Sequence, residues 1–293
     1  MIKFSIIIPL FNKEKYISKT LDSICSQVKD DTEIVIIDDG SQDNSIAIVN
    51  NYIEKYKNIK LFCYENNGVS VARNKGIKQS EGNYLVFVDA DDIIKDGYLD
   101  DVRKTVSTIG SEFSILGYNY CRNGKPAVPN NVEDGFINYF KMYVKYGPPF
   151  CSSSVVISKS KLLDFTLFPE NEWLGEDIYA WTKIILNGGR VYYRNYIATD
   201  YITNSDGAMS KQKTEIKLIR EDNDIFINDS YYKKFIIHHK IDYIKSCLLY
   251  GNIDAVQAFL KKEPCQSFVL FRILARVPYG LIQFLINIKK RFR

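Results

Sequence analysis

Four short apolar runs stand in the first hundred residues, and each ends abruptly in polar ones. Phe4 to Ile8 meets Pro9, then Phe11 and Asn12. Glu33 to Ile37 meets Asp38, Asp39, Gly40 and Ser41. Ile59 to Tyr64 meets Glu65, Asn66, Asn67 and Gly68. Leu85 to Val88 meets Asp89, Asp91 and Asp92. Short continuous runs rich in Ile, Val and Phe predict strands buried on both faces. Between them the spacing changes to that of a helix. Ile17, Leu21 and Ile24 share one face, as do Ile46, Val49 and Ile53, and Asp43 or Asn44 stands where the second helix needs a cap.

Strand and helix in regular alternation predict an α/β fold, a mostly parallel, Rossmann-like central sheet flanked by helices. In such sheets ligands bind beyond the carboxyl ends of the strands. All four polar clusters fall there, so one crevice should collect them. The same reading predicts a helix over 97–109, a strand over 114–118, a turn at 123–126 and a helix over 136–146. A strand over 151–157, a short helix over 158–163, a helix over 177–186 and a strand over 191–194 follow. Residues 1–210 are expected to form one unit, in two halves, 1–96 and 97–210. Residues 211–293 are expected to be a helical C-terminal region with a basic amphipathic tail.

In an extended chain, residues two apart point the same way, so Asp89 and Asp91 can converge on one point. Two such carboxylates repel unless a positive charge sits between them. A hard divalent cation that also holds a diphosphate meets that need.

The segments SIIIPLFNKEKYISKTLDSI, EIVIIDDGSQDNS, NNGVSVARNKGI and YLVFVDADDIIKDGYL follow in order, and LGEDIYAW comes later. Together they resemble the catalytic domain of family-2 glycosyltransferases, inverting enzymes of the GT-A fold that use nucleoside-diphosphate sugars. The likeness covers the first hundred residues almost without gaps and weakens after residue 200. It implies Asp91 as the direct metal ligand, with Asp89 on the metal or the ribose, and Mn2+ or Mg2+ rather than Zn2+ as the ion. It implies Asp39 on the base or ribose, Phe11 as a ring against the base, and Pro9 and Asn12 as shapers of that loop. Arg73 contacts the nucleotide or pairs with a nearby carboxylate; both readings stand at this point. Asp177 is the implied catalytic base, otherwise an N-cap. Glu176 and Trp181 are the implied acceptor-binding residues, with core packing the other reading of Trp181. One departure concerns the segment from Thr199 to Lys213, which has no Arg or His where many members carry one against the diphosphate; Lys211 is the candidate substitute. The QxxRW motif of processive synthases is absent, so transfer of one sugar, or few, is expected.

Composition narrows the rest. With 293 residues, 46% hydrophobic, the chain can build a sizeable core. No run is long and apolar enough to span a bilayer, and no leader is expected, because Pro9 and Asn12 break the first apolar run. The six cysteines (Cys25, Cys63, Cys121, Cys151, Cys247, Cys265) form no CxxC pair, which predicts reduced thiols in a cytoplasmic protein. The two histidines, His238 and His239, are adjacent and far from the motifs, so the base is expected to be a carboxylate.

The net charge is +4, but from Pro264 to Arg293 there are six basic residues and no acid. A basic tail interleaved with Phe, Leu and Ile predicts an anionic membrane surface as partner, at the inner face of the cell membrane; the other reading is a C-terminal helix packed on its own domain or on a second subunit. The resemblance implies a catalytic unit with 1–96 as the nucleotide-sugar half and 97–210 as the acceptor half. Together with the basic tail, it implies transfer from a UDP-sugar to a glycan, or lipid-linked glycan, in bacterial surface-polysaccharide assembly, with no nucleic-acid partner. Two rival readings are a sugar-nucleotide-forming nucleotidyltransferase and a non-catalytic nucleotide-sugar-binding protein. The first normally needs a glycine-rich phosphate loop after the first strand, and PLFNKEKY contains no glycine.

Overall fold

The computed structural model describes residues 3–170, 175–202, 229–249 and 253–262. Two compact units divide the chain, Met1–Asn204 and Ser205–Arg293. The first is built on one ten-stranded sheet. Its opening half alternates as the apolar runs predict: β1 (Phe4–Leu10), α1 (Ile17–Cys25), β2 (Thr32–Asp38), α2 (Ser45–Ile53), β3 (Ile59–Cys63), α3 (Val69–Gln79) and β4 (Tyr84–Phe87). Strands β3, β2, β1 and β4 lie side by side and are all parallel.

Beyond β4 the sheet becomes mixed, which departs from a mostly parallel sheet. β5 (Ile93–Ile94), α4 (Tyr98–Ile109), β6 (Ile115–Arg122), β7 (Lys125–Pro126), β8 (Gly135–Ile137), α5 (Tyr139–Tyr146), β9 (Val155–Ser158), α6 (Glu176–Leu186) and β10 (Val191–Tyr201) complete it. β9 runs antiparallel between β4 and β6, whereas β10 runs parallel to β6. Asn123 and Gly124 both take positive φ (53° and 74°), the geometry of a tight hairpin between β6 and β7.

Three local expectations change. The helix read over 136–146 starts only at Tyr139, because the Asn138 side chain accepts the Lys141 amide and caps it there, and the preceding residues pair as β8 with β10. The strand read from Cys151 begins at Val155, because Ser152–Ser154 form a 3-10 turn. The short helix read after it is only a 3-10 turn at Lys159–Lys161.

Both faces of the parallel half are buried. Phe4, Ile6, Ile8 and Leu10 of β1 pack with Ile17, Leu21 and Ile24 of α1, while Val35 and Ile37 of β2 pack with Ala72 of α3 on the other face. Pro9 continues β1 rather than ending it. The Ile7 carbonyl accepts from Val88, so residue 9 faces the same side, where the pairing with β4 has ended at Phe87. A residue without an N–H is tolerated there.

The second unit contains α7 (Ser230–Leu249) and α8 (Ile253–Lys262) in its described part. Asp229 caps α7 by accepting the amides of Tyr231 and Tyr232. Lys211 and the basic tail of 264–293 lie outside the described residues. Among the described residues, no helix is long and apolar enough to cross a membrane.

Gly76 lets α3 lie directly on β1, since a Cβ there would sit 2.3 Å from Ile7 Cγ2. Gly76→Ala should therefore cost about 1–3 kcal/mol of stability by overpacking. Chemical denaturation checks this, and an unchanged midpoint would show that α3 can lift without loss.

Candidate active site

Loops at the carboxyl ends of β1 and β2 are laced together by side chains. Asn12, held at a positive φ of 50°, accepts from the Gln42 amide and donates its own amide to Ser41 Oγ. The Lys13 amide donates to Ser45 Oγ, the Glu14 amide to Asp43, and Glu14 accepts from the amide and side chain of Asn44. Asp38 turns into its own loop and accepts the amides of Gly40 and Ser41. Asp39 accepts the amides of Asn67 and Gly68 at 2.9 and 2.8 Å, so it ties the β3–α3 loop to β2. Each of its oxygens keeps a second acceptor position. Phe11 stands 40% exposed beside these loops, an apolar ring with a free face.

Arg73, on the first turns of α3, settles between two carboxylates. Nη2 donates to Asp89 at 2.7 Å and Nη1 to Glu176 at 2.8 Å, and the guanidinium lies 5.1 Å from the centre of the Phe168 ring. Of the two readings of Arg73, the ion pair is the one observed. Burial works against its charge, but Asp89 and Glu176 outweigh that and hold the guanidinium firmly protonated. Its buried Nε has no partner among the described residues.

The three carboxylates after β4 have separate surroundings. The Asp89 amide donates to Ser153 Oγ, and Asp89 faces Arg73. Asp91 faces Lys13 Nζ at 2.5 Å. Asp92 is buried and accepts the Ile202 amide at the end of β10. Burial, with Asp89 next, pushes its carboxyl well above the usual range. It therefore anchors the chain leaving β10. Asp89 and Asp91 offer the hard oxygens that Mn2+ or Mg2+ prefers, and each already lies against a cation of the chain, so their charge is set up to be balanced. Among the described residues no three His, Cys, Asp or Glu side chains group into a metal site, so a bound diphosphate would have to complete the coordination.

Asp177 follows Glu176 in the first turn of α6, where the helix N-terminus favours negative charge. Its burial and the neighbouring Glu176 nonetheless push its carboxyl up to about 7, against the opposing charge of Arg73. One of its oxygens accepts its neighbour's amide, that of Ile178. Glu176 gives Oε1 to Arg73. Trp181 departs from the acceptor-binding expectation: it is fully buried among Phe87, Phe150 and Phe168 and offers no face to a ligand. Trp181 stands one helical turn beyond Asp177 on the same side of α6, and that side packs into an aromatic core.

Lys13, Ser153 and Phe168 complete the cluster without having been singled out by sequence. The buried run Ser152–Ser154 before an apolar strand was the available signal for Ser153, since hydroxyls buried at a strand start need partners. Lys13 and Phe168 carry no local signal.

A sequence model of glycosyl transferase family 2 matches residues 5–165, more than half of the chain. The chain belongs to this family. Glycosyltransferase GlyA of Streptococcus pneumoniae is 32% identical over 225 residues, covering 73% of this chain and 32% of the relative. Poly(ribitol-phosphate) beta-N-acetylglucosaminyltransferase TarS of Staphylococcus aureus is 31% identical over 222 residues, covering 71% and 36%. Cholesterol galactosyltransferase of Borreliella burgdorferi is 27% identical over 260 residues, covering 80% and 72%. The chain thus spans only 31% to 38% of the length of several curated relatives it matches. Among solved structures, S. aureus TarS 1–349 in complex with UDP superposes with a TM-score of 0.59 at 27% identity, over 71% of this chain and 63% of that one. The same TarS fragment with UDP-GlcNAc gives 0.64 at 23% identity over 92% and 76%, a likeness of fold. The fold is the GT-A fold that the motifs imply.

Trp181→Ala should lower stability by about 3–5 kcal/mol, the usual cost of emptying an aromatic core site. Urea denaturation measures it; a loss below about 1 kcal/mol would contradict a packing role for this ring.

Proposed function

We infer that the chain is a metal-dependent inverting glycosyltransferase, moving one sugar from a UDP-sugar to a hydroxyl of a glycan. One observation carries this reading: through Arg73, Asp89 at the end of β4 is joined to Glu176, the immediate neighbour of Asp177. Carboxylates suited to a donor and a carboxylate suited to an acceptor therefore share one cleft.

The parts can be assigned in order of chemical need. Phe11 offers a ring to the nucleobase, and Asp39, with its remaining lone pairs, takes base or ribose donors. Asn12 and Pro9 shape the loop that carries this ring. Asp91, with Asp89, would hold Mn2+ or Mg2+, whose charge stabilises the departing diphosphate. Asp177 takes the proton of the attacking hydroxyl. Attack on the face opposite the leaving group, in a single displacement, inverts the anomeric centre. Glu176 and Arg73 fix the Asp177 turn relative to the donor end of the cleft and act by positioning. UDP as the nucleotide is supported by its presence in the TarS complex. A lipid-linked acceptor in polysaccharide assembly, and a peripheral place on the inner membrane face, are supported by the basic run of 264–293 in the sequence.

The test is release of nucleotide by the purified protein from a panel of UDP-, GDP- and dTDP-sugars, with Mn2+ and with chelator. The expected result is release from a UDP-sugar that chelator abolishes. An Asp177 carboxyl raised to about 7 keeps its proton below that pH and cannot act as base there. The kcat/KM should therefore rise with pH through about 7 and level off above it. Asp177→Asn should remove that limb and lower kcat by about 10²- to 10⁴-fold. Full turnover by Asp177→Asn, or metal-independent release, would contradict the assignment.

A further inference from the structure

The Lys13–Asp91 contact lies in the same cleft but does work that the assignments above leave unexplained. The backbone at Lys13 is fixed: its amide is bonded to the buried Ser45 Oγ at 2.8 Å, and Asn12 and Glu14 on either side are bonded to the β2–α2 loop. From that fixed base the side chain reaches across to Asp91 Oδ2, passing 5.7 Å from the Tyr16 ring. Both side chains keep some exposure, 21% for Lys13 and 16% for Asp91, so the contact borders the cleft rather than the core.

An ammonium 2.5 Å from Asp91 Oδ2 takes one of the acceptor positions that a metal ion would use. The two cations repel, so the ammonium disfavours a metal ion on the same carboxylate. A lysine on a flexible stem with three donors is suited to release one anion and take another. The anion that arrives with the metal is the diphosphate. Across Thr199–Lys213, where a diphosphate clamp is expected, the sequence carries no Arg or His.

Resting on the glycosyltransferase reading, we propose that Lys13 is an exchangeable counter-cation. It holds Asp91 in the free protein and passes to the donor diphosphate when the divalent ion takes Asp91. Metal binding then depends on nucleotide: the ion alone meets the repulsion of Lys13 on Asp91, whereas the ion with diphosphate gives Lys13 a new partner. The protein is thereby kept from loading metal before its donor.

Mn2+ binding, followed by the electron paramagnetic resonance of the free ion with and without UDP, tests this directly. Wild type should bind Mn2+ weakly alone and more tightly with UDP. In Lys13→Met the affinity for Mn2+ without nucleotide should rise on the order of tenfold, and the tightening by UDP should shrink correspondingly, as expected for a lost coupling of ordinary size. Lys13→Arg should keep the wild-type dependence. Unchanged Mn2+ affinity of Lys13→Met in the absence of UDP overturns the exchange, even if UDP itself binds more weakly. If wild type binds neither Mn2+ nor UDP, the glycosyltransferase reading fails and the exchange falls with it.

Discussion

A single buried guanidinium organises this cleft. Arg73 is almost without solvent exposure, yet it carries a full charge between Asp89 and Glu176. Such a group is tolerable only because both carboxylates and the Phe168 ring surround it. The arrangement fixes three elements at once: α3, which carries Arg73; the end of β4, which carries Asp89; and the first turn of α6, which carries Glu176. Removing one partner leaves charge buried and unpaired, which generally costs about 3–5 kcal/mol. Burial raises the proton affinity of Asp177 most, and the same triad then tunes it, Glu176 raising it and Arg73 lowering it.

Around this centre the fold works by fastening loops to one another. Asp39 holds the β3–α3 loop, Asn12 and Glu14 hold the β2–α2 loop, and Asp92 holds the chain leaving β10. Each fastener is a polar side chain that accepts backbone amides, which is how short loops beyond strand ends are kept in place. Pro9 falls where the pairing of β1 with β4 has ended, so its missing N–H leaves no ladder bond unmade. Beneath lies an aromatic floor of Phe87, Phe150, Phe168 and Trp181 that supports both α6 and the guanidinium.

Much of this was legible in the residues alone. The parallel half followed from apolar runs of strand length, because burial on both faces leaves a continuous signal. The clustering of Asp39, Asp89 and Asp91 at one edge followed from the topology such runs imply. The mixed half was harder. β9 is preceded by a 3-10 turn of serines, and β8 comes so close to α5 that their apolar residues read as one helix. Arg73 could be assigned to either ligand or ion pair, since local sequence does not reveal Glu176, more than a hundred positions away, as its partner. Trp181 misled for a related reason: proximity to an acidic pair suggested a ligand face, and only the three-dimensional packing shows it turned inward. Lys13 was silent because a lone lysine in a loop is ordinarily a solvated one.

The account rests on Arg73 and Glu176 acting as one unit across the cleft. A double-mutant cycle on unfolding free energy, with Arg73→Met, Glu176→Gln and the pair, measures that directly. The account predicts that the two losses are far from additive, with a coupling of about 0.5–3 kcal/mol. Losses that add to within about 0.5 kcal/mol would show that the two side chains contribute independently, and the guanidinium would no longer explain how the cleft is held together.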